Sequence, residues 1–239
     1  SGQQDNQGRY TASVFRIPNP DLQPEMARAL EAIVNYNPTN QLRWTATAYT
    51  SRLDNLILYS ADTPVAVSDF VAGGYINRTK QRVNLGASVA SGIELSSRYR
   101  YNANEKNVDL WGAYSFTEGT LESDKGHESL PYTARHKLKL GATFRWSQGL
   151  FVSPSVYLID KSRVPNSAAQ NGRSLVSPAY GLLNIYAGYD QIIAGINAFL
   201  RIENVTSRRY YNAGGTSDIS IVQLPQLRRS VTLGTELEF

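Results

Sequence analysis

Residues Arg82–Asn102 read RVNLGASVASGIELSSRYRYN. Every second residue (Val83, Leu85, Ala87, Val89, Ser91, Ile93, Leu95, Ser97, Tyr99, Tyr101) belongs to a mostly apolar set that ends in tyrosines. The residues between them, among them Arg82, Asn84, Glu94, Ser96, Arg98 and Arg100, are polar or charged. A period of two marks a strand, whose successive side chains point to opposite faces. Strands in soluble domains run about 5–6 residues. A pattern this long asks for a special setting, and a membrane-spanning barrel supplies one.

The same alternation recurs on both sides of this stretch. Downstream it covers Val108–Thr117, Lys137–Trp146, Val152–Leu158, Leu182–Tyr189, Ile196–Glu203 and Ser230–Phe239. Lys137–Trp146 is the cleanest, with Leu138, Leu140, Ala142, Phe144 and Trp146 set against Lys137, Lys139, Gly141, Thr143 and Arg145. Upstream, Leu42–Tyr59 alternates with a phase slip at Arg52-Leu53-Asp54, which a bulge would explain. Met26–Tyr36 is readable as a helix by propensity or as a strand by alternation. These patterns predict about nine strands in all. Short connections fall near 38–41, 103–106, 147–149 and 190–195, and long ones at 1–25, 60–81, 118–133, 161–179 and 205–226. Arg16–Glu25, with three prolines, reads as irregular.

Composition narrows the function classes. The 239 residues include no cysteine and two histidines, His127 and His136, so disulfides, thiolate chemistry and a His-rich metal site are excluded. The net charge of +4 is spread over alternating positions without a dense basic run, which argues against nucleic acid. No apolar run of 18 residues is present, so no transmembrane helix is expected, whereas transmembrane strands leave little hydropathy signal. No Ser/His/Asp arrangement has convincing spacing, and the reading is of a protein that is not an enzyme. His136 reads as the start of a strand and His127 as solvated.

A soluble β-sandwich also alternates. Two features tilt the balance toward a barrel. Charges sit deep within the strands, and aromatics (Tyr36, Trp44, Tyr99, Tyr101, Phe144, Trp146, Tyr189) cluster beside the short turns, where a membrane girdle would lie. An autotransporter-type or passive porin barrel and a soluble β-sheet binding module stand as alternatives.

Several segments carry a family resemblance. Asn19-Pro20-Asp21-Leu22-Gln23-Pro24-Glu25 resembles the Asn-Pro-x-Leu-x-Pro-Glu segment of TonB-dependent outer-membrane receptors, where it precedes a strand. Ser91–Leu95, Leu130–Leu138 and Ile202–Tyr210 are similar to further segments of that family, in the family's order. The final strand, ending at Phe239, resembles the C-terminal signal read by barrel assembly machinery.

The resemblance implies an all-β antiparallel meander, the C-terminal portion of a Gram-negative outer-membrane barrel of about 22 strands. Residues 1–25 would be an extracellular loop, and 26–239 strands joined by short periplasmic turns and long extracellular loops. The plug, the TonB box and the other strands would lie upstream. Such a receptor imports a scarce nutrient, by default a ferric siderophore, with energy from the TonB complex delivered through the plug. The protein itself would need no cofactor; the ligand would be a metal chelate carrying iron or cobalt. Candidate ligand contacts on the loops are Arg16, Tyr59, Phe70, Tyr75, Tyr132, Arg163, Arg173, Arg208, Tyr210 and Tyr211. Glu94, Arg98, Lys137, Lys139 and Arg145 would face the lumen and the plug, and lipid would cover the other face.

Overall fold

The computed structural model describes residues 2–4, 10–12, 15–59, 74–76, 79–103, 106–123, 126–164, 176–193, 195–214 and 223–237. Every regular element among them is a β-strand. Nine strands form one meander: β1 (Met26–Tyr36), β2 (Leu42–Asp54), β3 (Ala87–Ala103), β4 (Lys106–Ser123), β5 (His136–Trp146), β6 (Leu150–Ile159), β7 (Tyr180–Ile193), β8 (Ile196–Glu203) and β9 (Ser230–Leu237). They pair in chain order, β1 at one edge and β9 at the other, with Gly126–Ser129 added against β4. The expected all-β antiparallel meander is therefore what the chain forms, and 26–36 is a strand. Its residues divide between a larger unit (30–50, 90–119, 129–239) and a smaller one (1–29, 51–89, 120–128).

In the larger unit the register fixes two faces. Phe144 opposes Val108 and Val152, and Leu140 opposes Gly112 and Val156. This face continues through Ile185, Ala187, Leu200, Ile202, Val231 and Leu233. It is apolar and open, with Leu140 46% and Leu233 80% exposed. The aromatics beside the short turns, Tyr36, Trp44, Phe144 and Tyr189, stand exposed on it. The other face carries Asp109, Lys137, Lys139, Arg145, Asn184, Tyr186, Arg201 and Glu203, as the alternation requires.

Packing on the polar face is built from rings laid over glycines. Trp111 covers Gly141, Phe151 covers Gly188 and Phe199 covers Gly234, each pair directly opposed across neighbouring strands. Tyr49 covers Gly92, and its hydroxyl is 2.8 Å from that of Thr117. A ring over a bare backbone buries apolar area that neither residue could bury alone. A Cβ at Gly188 would lie 2.6 Å from Phe151 Cζ and 2.7 Å from the Ala198 carbonyl oxygen. The ring can turn away, but the carbonyl belongs to the ladder. Gly188→Ala is therefore expected to destabilise the intact protein by about 1–3 kcal/mol, read as a lower urea midpoint. An unchanged midpoint would show that the ring does not pack there.

The short turns obey local chemistry. Gly149 adopts φ +93° at the β5–β6 turn, and its N–H donates to Trp146 O at 3.1 Å. Thr39 Oγ1 accepts from Leu42 N at 3.1 Å in the β1–β2 turn.

The smaller unit corrects several sequence expectations. Residues 1–25 contain short strands at Gly2–Gln4, Tyr10–Ala12 and Phe15–Ile17. Arg16 and Ile17, read as irregular, pair in parallel with Lys80 and Gln81. Pro18–Glu25 has no strand, but hydrogen bonds lace it to the rest of the unit. Gln23 N donates to Asn84 Oδ1 and Ile57 N to Glu25 Oε1, both at 2.8 Å, and Asn19 Nδ2 donates to Arg82 O at 2.9 Å. The phase slip near 52–54 falls where one strand ends and another begins. β2 ends at Asp54, Asn55 takes φ +58°, and a new strand runs Ile57–Tyr59. Arg82–Asn102 is likewise two strands, Thr79–Asn84 and β3, parted at Leu85-Gly86, whose backbone pairs with Leu56. The expected loops at 60–81 and 118–133 hold strands at Gly74–Ile76, at the start of Thr79–Asn84, at the end of β4 and at Gly126–Ser129.

Candidate functional site

The connections after β6 and β8, and residues 129–135 ahead of β5, lie at one end of the larger unit's strands, because every second link of a meander lies on the same rim. They are not bare loops. Ser162–Arg163 pairs with Val176–Ser177, Tyr211–Ala213 pairs with Gln223–Pro225, and Ala134 bridges to Ser162. Ser177 Oγ donates to Tyr211 O at 2.7 Å, joining two of the connections. Ala134, Val164 and Ser177 are buried in this layer. A rim with its own buried residues holds side chains in place.

A cleft of ≈ 220 Å³ opens there, lined by Thr117, Glu118, Arg135, Asp160, Lys161 and Arg163 among others. The backbone fixes its walls. Thr117 N donates to Arg135 O at 2.9 Å, Asp160 N to His136 O at 2.9 Å, and Tyr132 N to Arg163 O at 2.7 Å. Tyr132 adopts φ +60°, which turns the chain so that its N–H reaches Arg163. Three cationic side chains face two carboxylates, so the cleft suits an anionic ligand with polar edges. Guanidinium and ammonium groups pair with anionic oxygens and do not ligate metal. Ligand sites of drug size occupy roughly 300–1,000 Å³; this cleft accommodates one arm or head group of a larger ligand.

Of the loop candidates, Arg163 lines the cleft and Tyr132 stands beside it through its backbone. Arg208, Tyr210 and Tyr211 belong to the neighbouring connection. Tyr210 packs on Tyr180 with ring centroids 4.7 Å apart, and Tyr211 is in a strand. Arg208 lines a separate groove on the apolar face. Arg16, Tyr59 and Tyr75 lie in short strands of the smaller unit, and Phe70, Arg173 and Phe239 lie outside the described residues. Arg135, Lys161, Glu118 and Asp160 were not singled out from sequence. Arg135, Asp160 and Lys161 flank strand ends and Glu118 lies within β4, and only the convergence of these segments makes them a site.

The polar-face candidates fall in three places, and only the first brings several of them together. Glu94, Lys137 and Lys139 line a shallow depression with Thr45, Thr47 and Ser115. Arg98 pairs with Asp109, its Nε 2.8 Å from Oδ1, and Arg100 approaches the same carboxylate at 3.5 Å. Arg145 pairs with Asp190 and lies 4.8 Å above the Phe151 ring. Lys139 over Tyr157 at 5.7 Å and Arg201 over Tyr186 at 5.4 Å repeat that arrangement.

The family profile described as TonB dependent receptor-like, beta-barrel, matches residues 2–205. No curated protein sequence matches the chain. Among solved structures, the ferric-catecholate import receptor Fiu from Escherichia coli K12 is 16% identical with a TM-score of 0.67, over 92% of this chain and 29% of that one. The FrpB iron transporter from Neisseria meningitidis is 18% identical with a TM-score of 0.65, over 95% of this chain and 32% of that one. The ferric yersiniabactin uptake receptor FyuA from Yersinia pestis is 18% identical with a TM-score of 0.65, over 90% of this chain and 30% of that one. The chain thus spans about a third of the length of these proteins.

Proposed function

The chain belongs to the TonB-dependent receptor β-barrel family, one of outer-membrane transport receptors, and from that premise we propose that it forms wall and loop rim of a receptor importing an anionic metal chelate, a ferric siderophore by default. The apolar face meets lipid and the polar face meets the lumen and plug. Energy arrives from the TonB complex through the plug, and the last strand addresses the chain to barrel assembly machinery. The supporting observation is the rim cleft, where backbone bonds hold Arg135 and Arg163, and Lys161 N donates to Asp160 Oδ1 at 2.7 Å.

In the intact receptor, Arg135→Gln combined with Arg163→Gln is expected to weaken binding of a ferric tris-catecholate by about tenfold or more, each lost charge-assisted bond contributing roughly 1.5–3 kcal/mol. Tryptophan quenching in detergent measures it. Unchanged affinity would remove the cleft from the ligand path. Uptake that persists after the proton gradient is collapsed would favour a passive porin.

A further inference from the structure

The connection after β8 holds a second constellation, of which Thr206 and Arg208 line a groove on the apolar face. Asn204 is its centre, 2% exposed. Its Oδ1 accepts from Arg208 N at 2.9 Å and its Nδ2 donates to Arg208 O at 2.8 Å, while Asn184 Oδ1 accepts from Asn204 N at 2.9 Å. Asn204 and Ser207 take φ +51° and +52°, which folds residues 204–208 into a compact knot. Arg229 Nε donates to Val205 O at 2.9 Å and Arg228 Nε to Ser207 O at 3.4 Å, so the strand returning as β9 brings two more guanidinium groups to it. Arg208, Arg209, Arg228 and Arg229 are all exposed, and none forms an ion pair among the described residues.

Beneath the knot the apolar face is grooved. Val156, Leu158, Gly181 and Leu183 form an aliphatic floor, with Thr206 and Arg208 at its upper end. Leu158 and Leu183 belong to the apolar face by register, Leu158 opposing Gly181 and Leu183 opposing Val156. Arg229 stands two residues ahead of Val231, which opposes Ile202 on that face. A cation that serves a lumenal ligand has no reason to crown an aliphatic groove on the opposite side of the sheet. A cation that serves a lipid does, because acyl chains and head-group phosphate are covalently joined and meet the protein at successive depths.

We propose that this groove and its arginine crown bind a phosphorylated acyl lipid of the surrounding membrane. Its chains lie along Val156, Leu158 and Leu183, and its phosphate is held by Arg208 and Arg229. Guanidinium groups suit that role through paired N–H donors to phosphate oxygens. The aliphatic floor selects an amphiphile over a free anion. The proposal rests on the membrane reading of the apolar face and concerns a site apart from the rim cleft.

The intact receptor in non-ionic detergent, titrated with bis-phosphorylated lipid A and read by native mass spectrometry, tests this. Wild type is expected to retain the lipid saturably. Arg208→Gln with Arg229→Gln should weaken retention about tenfold or more, and the Arg→Lys pair should stay within about threefold. Phosphatidylcholine should be retained poorly, and millimolar inorganic phosphate should not displace lipid A. Wild-type retention by the Gln pair, equal retention of phosphatidylcholine, or displacement by phosphate alone would each overturn the proposal. So would loss of ferric chelate binding in the Gln pair with lipid retention intact, since Arg208 would then serve the cargo. A receptor that never partitions into detergent fails the membrane reading itself; one that partitions and ignores lipid A fails only this proposal.

Discussion

Asn204→Ala is expected to destabilise the receptor by about 2–5 kcal/mol. The side chain is buried and makes two short bonds to one residue, donating to Arg208 O and accepting from Arg208 N, with a longer contact from Nδ2 to Leu227 O at 3.5 Å. Alanine leaves the Arg208 amide and carbonyl without partners, at roughly 1–3 kcal/mol for each group that stays buried. It also places a Cβ-bearing residue without a helpful polar side chain at φ +51°, where asparagine is tolerated and alanine costs about 1–2 kcal/mol. The effect should emerge as a lower urea midpoint together with earlier proteolysis after Arg208 and Arg209. Asn204→Asp, which keeps the acceptor and loses the donor, should fall between. A midpoint shift under about 0.5 kcal/mol, the range of ordinary surface substitutions, would show that the knot is held by something else.

Leu140→Arg is the second. Leu140 is the fifth residue of the eleven in β5, on the apolar face between Gly112 and Val156. Eleven residues is the length of a tilted membrane-spanning strand, which puts Leu140 near mid-depth. An arginine facing lipid there costs about 2–4 kcal/mol. The neighbouring Lys139 provides the contrast, since it carries a positive charge at the same depth on the other face, near the Tyr157 ring. Lys139→Leu should therefore change stability by less than about 1 kcal/mol, while Leu140→Arg lowers the unfolding midpoint of vesicle-reconstituted receptor sharply. Equal responses of the two variants would mean that the faces are misassigned.

The strands that read most easily were those with one apolar and one polar face. β5 is the clearest, because Leu138–Trp146 and Lys137–Arg145 sort without exception. β4 is the opposite case beyond Thr117. Glu118, Gly119, Thr120, Leu121, Glu122 and Ser123 have no apolar face, so the period-two signal disappears while the backbone ladder continues. The break at Leu85-Gly86 was hidden for a related reason. Alternation resumes in phase on its far side, and what parts the two strands is a backbone pairing with Leu56, about thirty residues earlier in the chain. Of the loop candidates, Arg163 was legible because a charged residue in a long connection is a fair guess. Arg135 and Lys161 were not, because each closes or opens a strand and looks like part of it.

The family segment Asn19–Glu25 illustrates both sides. Its composition marked it as irregular, and its motif marked Met26–Tyr36 as a strand. Only the folded chain joins Asn19 to Arg82, Gln23 to Asn84 and Glu25 to Ile57.

Sequence alone determined the strand class, the two faces, the alternation of short and long connections and the family, because these depend on side-chain order over a few residues. Tertiary structure decided which rings cover which glycines, which segments close the rim cleft, how Asn204 ties down Arg208 beside an aliphatic groove, and how Arg229 reaches Val205. Those depend on register and loop path. The partners are tens of residues apart, and no local period records which of them will meet.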